Sequence, residues 1–267
     1  MHAARLLDSR SDLMAGLRQG VLLAAAALVL TLPPAGPVVL RTAAPAPGAA
    51  ARAAAPNPGA APHAGFRSAD FAGRAASPGA RFIADWVADS GNNGVLPFVI
   101  LDKRDARIFV FAANAQLIDA SPVLLGAAPG DDSVVGIGTR PIALVRPEEK
   151  TTPAGRFISA PGRNASGEDV VWVDYDAAVS MHRVRPVDPK ERRLERLASP
   201  DPTQRRISYG CINVPVAFFE SVVWPMLGSA RAVIYVLPET KSPNEVFAGA
   251  YTSSAKMAQN PPPHAGL

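Results

Sequence analysis

The chain has 267 residues, 48% of them hydrophobic, and a formal net charge of +4. Of that charge, +3 lies in residues 1–66, where Arg5, Arg10, Arg18, Arg41 and Arg52 face only Asp8 and Asp12, so the remainder is nearly neutral. No broad basic face is implied, which argues against nucleic acid as a partner. A remainder with one cysteine and two histidines, one of them in the last residues, cannot build a metal cluster, and no cofactor is expected.

Arg5, Arg10 and Arg18 precede an apolar run of 12 residues, Val21 to Leu32, that stops at Pro33-Pro34. A charged stretch followed by a short apolar one is the pattern of an export signal. As a helix the run covers roughly 18 Å against a bilayer core of about 30 Å, too short to span alone. Ala44-Pro45-Ala46 is followed by Pro47, so no clean cleavage site follows. Residues 1–32 are therefore expected to be an export signal or an N-terminal membrane anchor, which places the protein in the periplasm or cell envelope, anchored or secreted. Residues 33–69 are dominated by Ala, Pro and Gly, with too little side chain to offset ordering entropy, and read as a tether.

Ser77-Pro78 is an N-cap and first-turn pair, with Phe82, Ile83, Trp86 and Val87 on one helical face and Gly91-Asn92-Asn93-Gly94 as the stop, giving a helical segment over residues 70–95. Short runs rich in Val, Ile and Phe follow at 98–101, 107–111 and 116–125, separated by Lys103-Arg104-Asp105 and Ala113-Asn114, which predicts an antiparallel meander. Further strands are expected at 157–159, 170–174, 178–184 and 230–237. Asp188-Pro189 predicts the start of a charged helix reaching Leu197, and Pro215 to Val223 a shorter apolar one. Gly126 to Arg140 matches neither a Walker loop nor an EF-hand and reads as a long loop near the site. Residues 240–267 read as a flexible tail. The fold class is mainly β, with peripheral short helices.

Cys211 is the single cysteine. Outside the reducing compartment an unpaired thiol is either a partner for another chain or a reactive group. A free thiol has a pKa of about 8.5 and needs a base or a positive field to act at neutral pH. His2, His63 and His264 fall in the leader, the tether and the tail, which leaves His182 as the available base. Strand alternation puts His182 on the same face as Ser180 and Val184. Gly210 lets the backbone turn closely before the thiol. Asn213 and Pro215 suggest that a helix begins there, its N–H groups and positive dipole end facing the thiol. Taken singly, the cysteine and the histidine are each as readily a small buried group and a satisfied polar one.

Ser208-Tyr209-Gly210-Cys211-Ile212-Asn213, with a histidine upstream, resembles the signature of the L,D-transpeptidase catalytic domain of the YkuD type: Ser/Thr-x-Gly-Cys-apolar-Arg/Asn. Thr152-Pro153-Ala154-Gly155-Arg156-Phe157 is similar to the Thr-Pro-x-Gly-x-Phe segment that precedes the histidine in that family. The resemblance covers roughly residues 96–239 and implies a β-sandwich catalytic domain. It further implies acyl transfer on peptidoglycan stem peptides through a Cys211 thioester, resolved by an amine acceptor. His182 would serve as base, oriented by a backbone carbonyl, and N–H groups around Gly210 and Cys211 would hold the oxyanion. Ser208, Tyr209 and Asn213 would border the substrate.

Three departures stand beside it. Arg183 follows His182 where glycine is common, Asn213 stands where arginine is frequent, and 29 positions separate His182 from Cys211. Between Arg183 and Arg206 lie eight Lys or Arg and four acids, a local +4 suited to the carboxylates of a donor stem, with Arg183 and Arg206 as the expected contacts. The middle of that run reads equally well as a solvated helix face. Two alternatives stay open: a hydrolase using the same thiol, as an L,D-carboxypeptidase or cross-link endopeptidase, and an idle wall-binding module.

Overall fold

The structure, a computed structural model, describes residues 65–252 and 255–256. The expected leader and most of the expected tether lie outside the described residues. No helix among the described residues is long and apolar enough to cross a membrane.

The first helix, α1, runs over Pro78–Ser90, where the sequence signals place it. Ser77 Oγ accepts from the Ala80 N–H, Pro78 occupies the first turn, and Gly91 closes the helix in the left-handed conformation at φ 63°. Its buried side includes Ala80, Ile83, Trp86 and Val87. Eleven strands follow: β1 (Phe98–Asp102), β2 (Arg107–Phe111), β3 (Leu117–Pro122), β4 (Leu125–Gly126), β5 (Gly155–Ile158), β6 (Ala160–Arg163), β7 (Asp169–Asp174), β8 (Val179–Arg183), β9 (Arg206–Ser208), β10 (Ile212–Val214) and β11 (Val233–Val236).

Two main sheets form, ordered β3-β2-β1-β11-β5 and β10-β8-β7-β6, with β4 and β9 as a parallel pair beside them. The first three strands make the expected antiparallel meander, and β11 returns parallel to β1. β1 reads as an unbroken apolar run because both of its faces are covered. Phe98 and Ile100 pack with Ile83, Trp86 and Val87 of α1, while Val99 and Leu101 pack with Val171, Met181, Ile212 and Val214 of the second sheet. The five-stranded sheet is thus the middle layer, with α1 on one side and the four-stranded sheet on the other. Each fully buried Phe, Ile or Val in these layers contributes about 1.5–3 kcal/mol of transfer free energy. The fold is mainly β, two sheets face to face with short helices at the periphery.

Several expectations are corrected. Strands β6, β9 and β10 are additional, and the expected run 116–125 is divided into β3 and β4. The charged helix is broken at Arg192, whose φ of 50° separates a 3₁₀ turn, Pro189–Glu191, from helix α2 (Arg193–Ala198). The apolar helix starts at Val216 and continues through a π turn, Phe219–Val223, to Leu227. Residues 67–69 of the expected tether are docked, since the Arg67 and Ala69 N–H groups donate to Asp89 and Asp85 on α1. Much of the expected loose tail is held too. Phe247 is buried against Trp86 and Tyr235, while Tyr251 Oη and Lys256 Nζ both donate to Asp89.

Candidate active site

Strand register is what brings the chemistry together. β8 and β10 are parallel neighbours, with Met181 opposite Ile212 and His182 opposite Asn213. The core takes Met181 and Ile212, and alternation then turns Ser180, His182 and Asn213 to the opposite face. Cys211 sits just before β10 on that face. His182, Cys211, Asn213, Ser208 and Tyr209 all line one open groove of about 320 Å³, walled on the far side by Ile142, Arg185, Val187, Glu191 and Arg193.

The turn that presents the thiol is tightly specified. Gly210 has φ +133°, a conformation open to glycine, and a Cβ placed there would lie 2.7 Å from the Thr151 carbonyl oxygen. Ser208 Oγ accepts from the Gly210 N–H at 3.1 Å and donates to the Cys211 carbonyl at 2.6 Å. Buried Thr152 accepts from the Gly126 N–H at 2.9 Å and donates to the Gly210 carbonyl at 2.8 Å. Thr152 in turn is anchored from below, because its carbonyl accepts from Lys103 Nζ at 2.9 Å. That ammonium is fully buried and also reaches Asp131 Oδ1 at 2.7 Å and the Gly130 carbonyl at 2.5 Å. The loop after Gly126 is thereby tied to the floor of the site.

The His182 Nδ1–H donates to the Arg183 carbonyl at 2.8 Å, which fixes the tautomer and leaves Nε2 free to accept. Asn213 Nδ2 donates to that Nε2 at 3.3 Å. Ser180 Oγ lies 3.7 Å from Cys211 Sγ, and the Ala178 carbonyl lies 3.6 Å from it. Burial pushes the half-buried thiol up, but the neighbouring His182, with Ser180 adding to it, outweighs burial and holds the thiol below its ordinary value. The helix that follows does not supply this field, since β10 separates its start at Val216 from Cys211.

The remaining expected site residues divide. Tyr209 is exposed at the groove, with Lys150 Nζ 4.1 Å above its ring. Ser208 and Asn213 are buried to 3% and 1% exposure and act on neighbouring protein groups. The Gly210 N–H is engaged by Ser208, so of the two expected oxyanion donors it is not free.

The guanidiniums of Arg183 and Arg206 are not brought to the groove. Arg183 lies on the other face of β8, where its Nε donates to Glu220 at 2.5 Å and its guanidinium carbon sits 4.2 Å from the Phe219 ring centre. Arg206 is ion-paired with Glu239 and donates to the Lys103 carbonyl at 2.8 Å. The expected basic contribution of this segment comes instead from Arg185 and Arg193. Neither of these, nor Ser180, was singled out by sequence. Ser180 alone carried a signal, its period-2 spacing from His182.

Sequence comparison matches no family model and no curated protein. Among solved structures the chain is similar to an L,D-transpeptidase from Xylanimonas cellulosilytica, at 14% identity and a TM-score of 0.34, covering 55% of this chain and 62% of that one. It is similar to an L,D-transpeptidase from Mycobacterium smegmatis at 14% identity and a TM-score of 0.33, covering 53% and 58%. The helical cell shape determining protein Pgp2 from Campylobacter jejuni is similar at 12% identity and a TM-score of 0.36, covering 62% and 58%. The chain thus spans about three fifths of the length of each of these structures. At this level of similarity the chemistry has to be read from the site itself.

Proposed function

We propose that the protein is a cysteine acyltransferase of the L,D-transpeptidase kind, acting on peptidoglycan stem peptides at the cell envelope. The observation that carries this reading is the meeting of His182 in one groove with Cys211 of the Ser208–Asn213 motif, the thiol being held below its ordinary value. The motif supplies the substrate class, and the Arg5 to Leu32 segment supplies the export.

In the first half-reaction His182 Nε2 takes the thiol proton, and Cys211 Sγ attacks the carbonyl carbon that links the third, diamino residue of a donor stem to its terminal D-alanine. The carbon–sulfur bond forms as the carbonyl oxygen becomes an oxyanion, for which the Cys211 N–H is the donor in this turn. Such a donor is worth about 3 kcal/mol in the transition state. Collapse breaks the carbon–nitrogen bond, and the departing D-alanine amine takes the proton from His182, leaving a thioester. An acceptor amine then attacks the thioester carbon and loses its proton to His182, and the thiolate leaves.

The same thioester meets water in a hydrolase, so the acceptor decides the outcome. Incubation with stem tetrapeptide, with and without an added acceptor amine, followed by product mass, separates the two. New cross-linked or exchanged peptide is the expected result. Tripeptide alone, at equal rate in both arms, would replace the transferase with an L,D-carboxypeptidase. Return of unaltered tetrapeptide from both arms would favour the idle module.

A further inference from the structure

The segment between His182 and Cys211 does more than wall the groove. Arg193 Nη1 donates to Asn213 Oδ1 at 2.5 Å, and the same amide faces His182 Nε2 at 3.3 Å and the Cys211 carbonyl at 3.4 Å through Nδ2. A guanidinium has donors only, so the amide atom facing Arg193 has to be the oxygen and the atom facing His182 the NH2 group. Arg193 is itself held by the Glu191 carboxylate, at 2.6 Å from Nε and 3.3 Å from Nη2. The left-handed turn at Arg192 brings the two side chains together, and Arg196 Nε secures it by donating to the Glu191 carbonyl at 2.9 Å. Asn213 is only 1% exposed, so water offers its amide no alternative partner.

We propose that Arg193, anchored by Glu191, is a positioning residue for the Cys211–His182 pair: by pinning the Asn213 amide it holds an N–H donor rather than an acceptor against His182 Nε2 and so raises the threshold for moving the thiol proton there. This rests on the reading that His182 takes the thiol proton. Once Nε2 carries that proton it faces an N–H donor. The amide can turn its oxygen toward Nε2–H when Arg193 lets go. Arg193 and Glu191 both line the groove, so a bound carboxylate that draws on Arg193 would free the amide at the moment the thiolate is needed. The other charged or titratable groups facing the pair are Tyr209, Arg185 and, above the Tyr209 ring, Lys150.

The chain has one cysteine, so alkylation of the full-length protein by iodoacetamide reports on Cys211 alone. The rate is followed against pH for wild type, Arg193→Met and Arg193→Lys. In Arg193→Met the amide turns and hydrogen-bonds the imidazolium, so the rising limb moves to lower pH by about one unit, about tenfold in thiolate at a given pH. Arg193→Lys keeps a donor for Oδ1 and stays with wild type. A methionine profile that coincides with wild type, or moves to higher pH as loss of a nearby cation alone would cause, overturns the proposal. The nitrogen-15 spectrum of wild-type imidazoles, with the His182 signal assigned by its loss in His182→Gln, gives a second test independent of how the methionine variant folds. An Nδ1–H tautomer is expected, and an Nε2–H tautomer overturns it. Neither readout uses a peptide substrate, so this inference and the acyl-transfer reading can fail separately.

Discussion

Gly210 shows how closely the thiol depends on its neighbours. Its φ of +133° and the 2.7 Å approach of the Thr151 oxygen mean that even alanine there strains the backbone and collides with it. Gly210→Ala is expected to cost about 1–3 kcal/mol of stability in a thermal melt and to slow Cys211 alkylation, because the turn that aims the thiol has to shift. Unchanged melting and alkylation would show that the turn is not under this constraint. The thiol itself is set by two opposed effects, burial raising it and His182 lowering it. A thiol whose folded value is depressed contributes stability above its unfolded value, lost as pH falls through the folded one, and its alkylation limb lies below that of a free cysteine. In His182→Ala burial acts with little opposition, so the limb moves above the free-cysteine value and alkylation near neutral pH falls about tenfold or more. A limb that stays put would remove His182 from the pair. The pairing of Cys211 with His182 was legible from counting alone, since no other cysteine and no other central histidine exist. Arg183 was misplaced for a reason that was also legible: adjacent residues in a strand face opposite ways, and His182 had already claimed the groove face.

At the scale of elements, the site rests on the buried node formed by the turn after β1, the loop after β4, and the residues following β11. Asp131 Oδ1 and Oδ2 accept from Lys103 Nζ and from the Glu239, Thr240 and Lys241 N–H groups at 2.7–2.8 Å, with Thr240 Oγ1 at 2.6 Å. Burial pushes the Asp131 carboxyl up, but these bonds, that of Lys103 foremost, hold it far below the usual carboxylate range. Removing one charge leaves the other buried without its partner. Lys103→Met is therefore expected to cost about 3–5 kcal/mol in urea unfolding, with part of the loss restored by adding Asp131→Asn. A midpoint equal to wild type would show that the node carries no stability. In sequence, Lys103 sits inside Lys103-Arg104-Asp105 and reads as turn punctuation, because nothing local says that three distant carbonyls and carboxylates converge on its ammonium. Strands β9 and β10 escaped for the same reason. Each is three residues long, and what makes them strands is pairing with β4 and β8 rather than any period of their own.

Across the whole molecule, the layered core explains which large-scale features could be read. α1 and the meander β1-β2-β3 are local, marked by caps, turns and apolar runs, so their order and type were legible, while the ends differ: the helix spans 78–90 within the expected 70–95, and β3 stops at Pro122. The docking of Phe247, Tyr251 and Lys256 was not legible, because they are isolated contacts in a polar, proline-containing stretch and gain their partners from distant elements, chiefly α1 and β11. The same holds for the groove, much of whose lining comes from the segment between His182 and Cys211. Its composition announced charge, and only the fold decided that Arg185 and Arg193 line the groove while Arg206 does not. A thioester at Cys211 is read directly by intact mass spectrometry after incubation with stem tetrapeptide. Wild type is expected to gain the mass of the stem less its terminal D-alanine, and Cys211→Ala to gain nothing. Wild type that stays unmodified while its thiol remains open to alkylation, or an adduct that persists in Cys211→Ala, would contradict it.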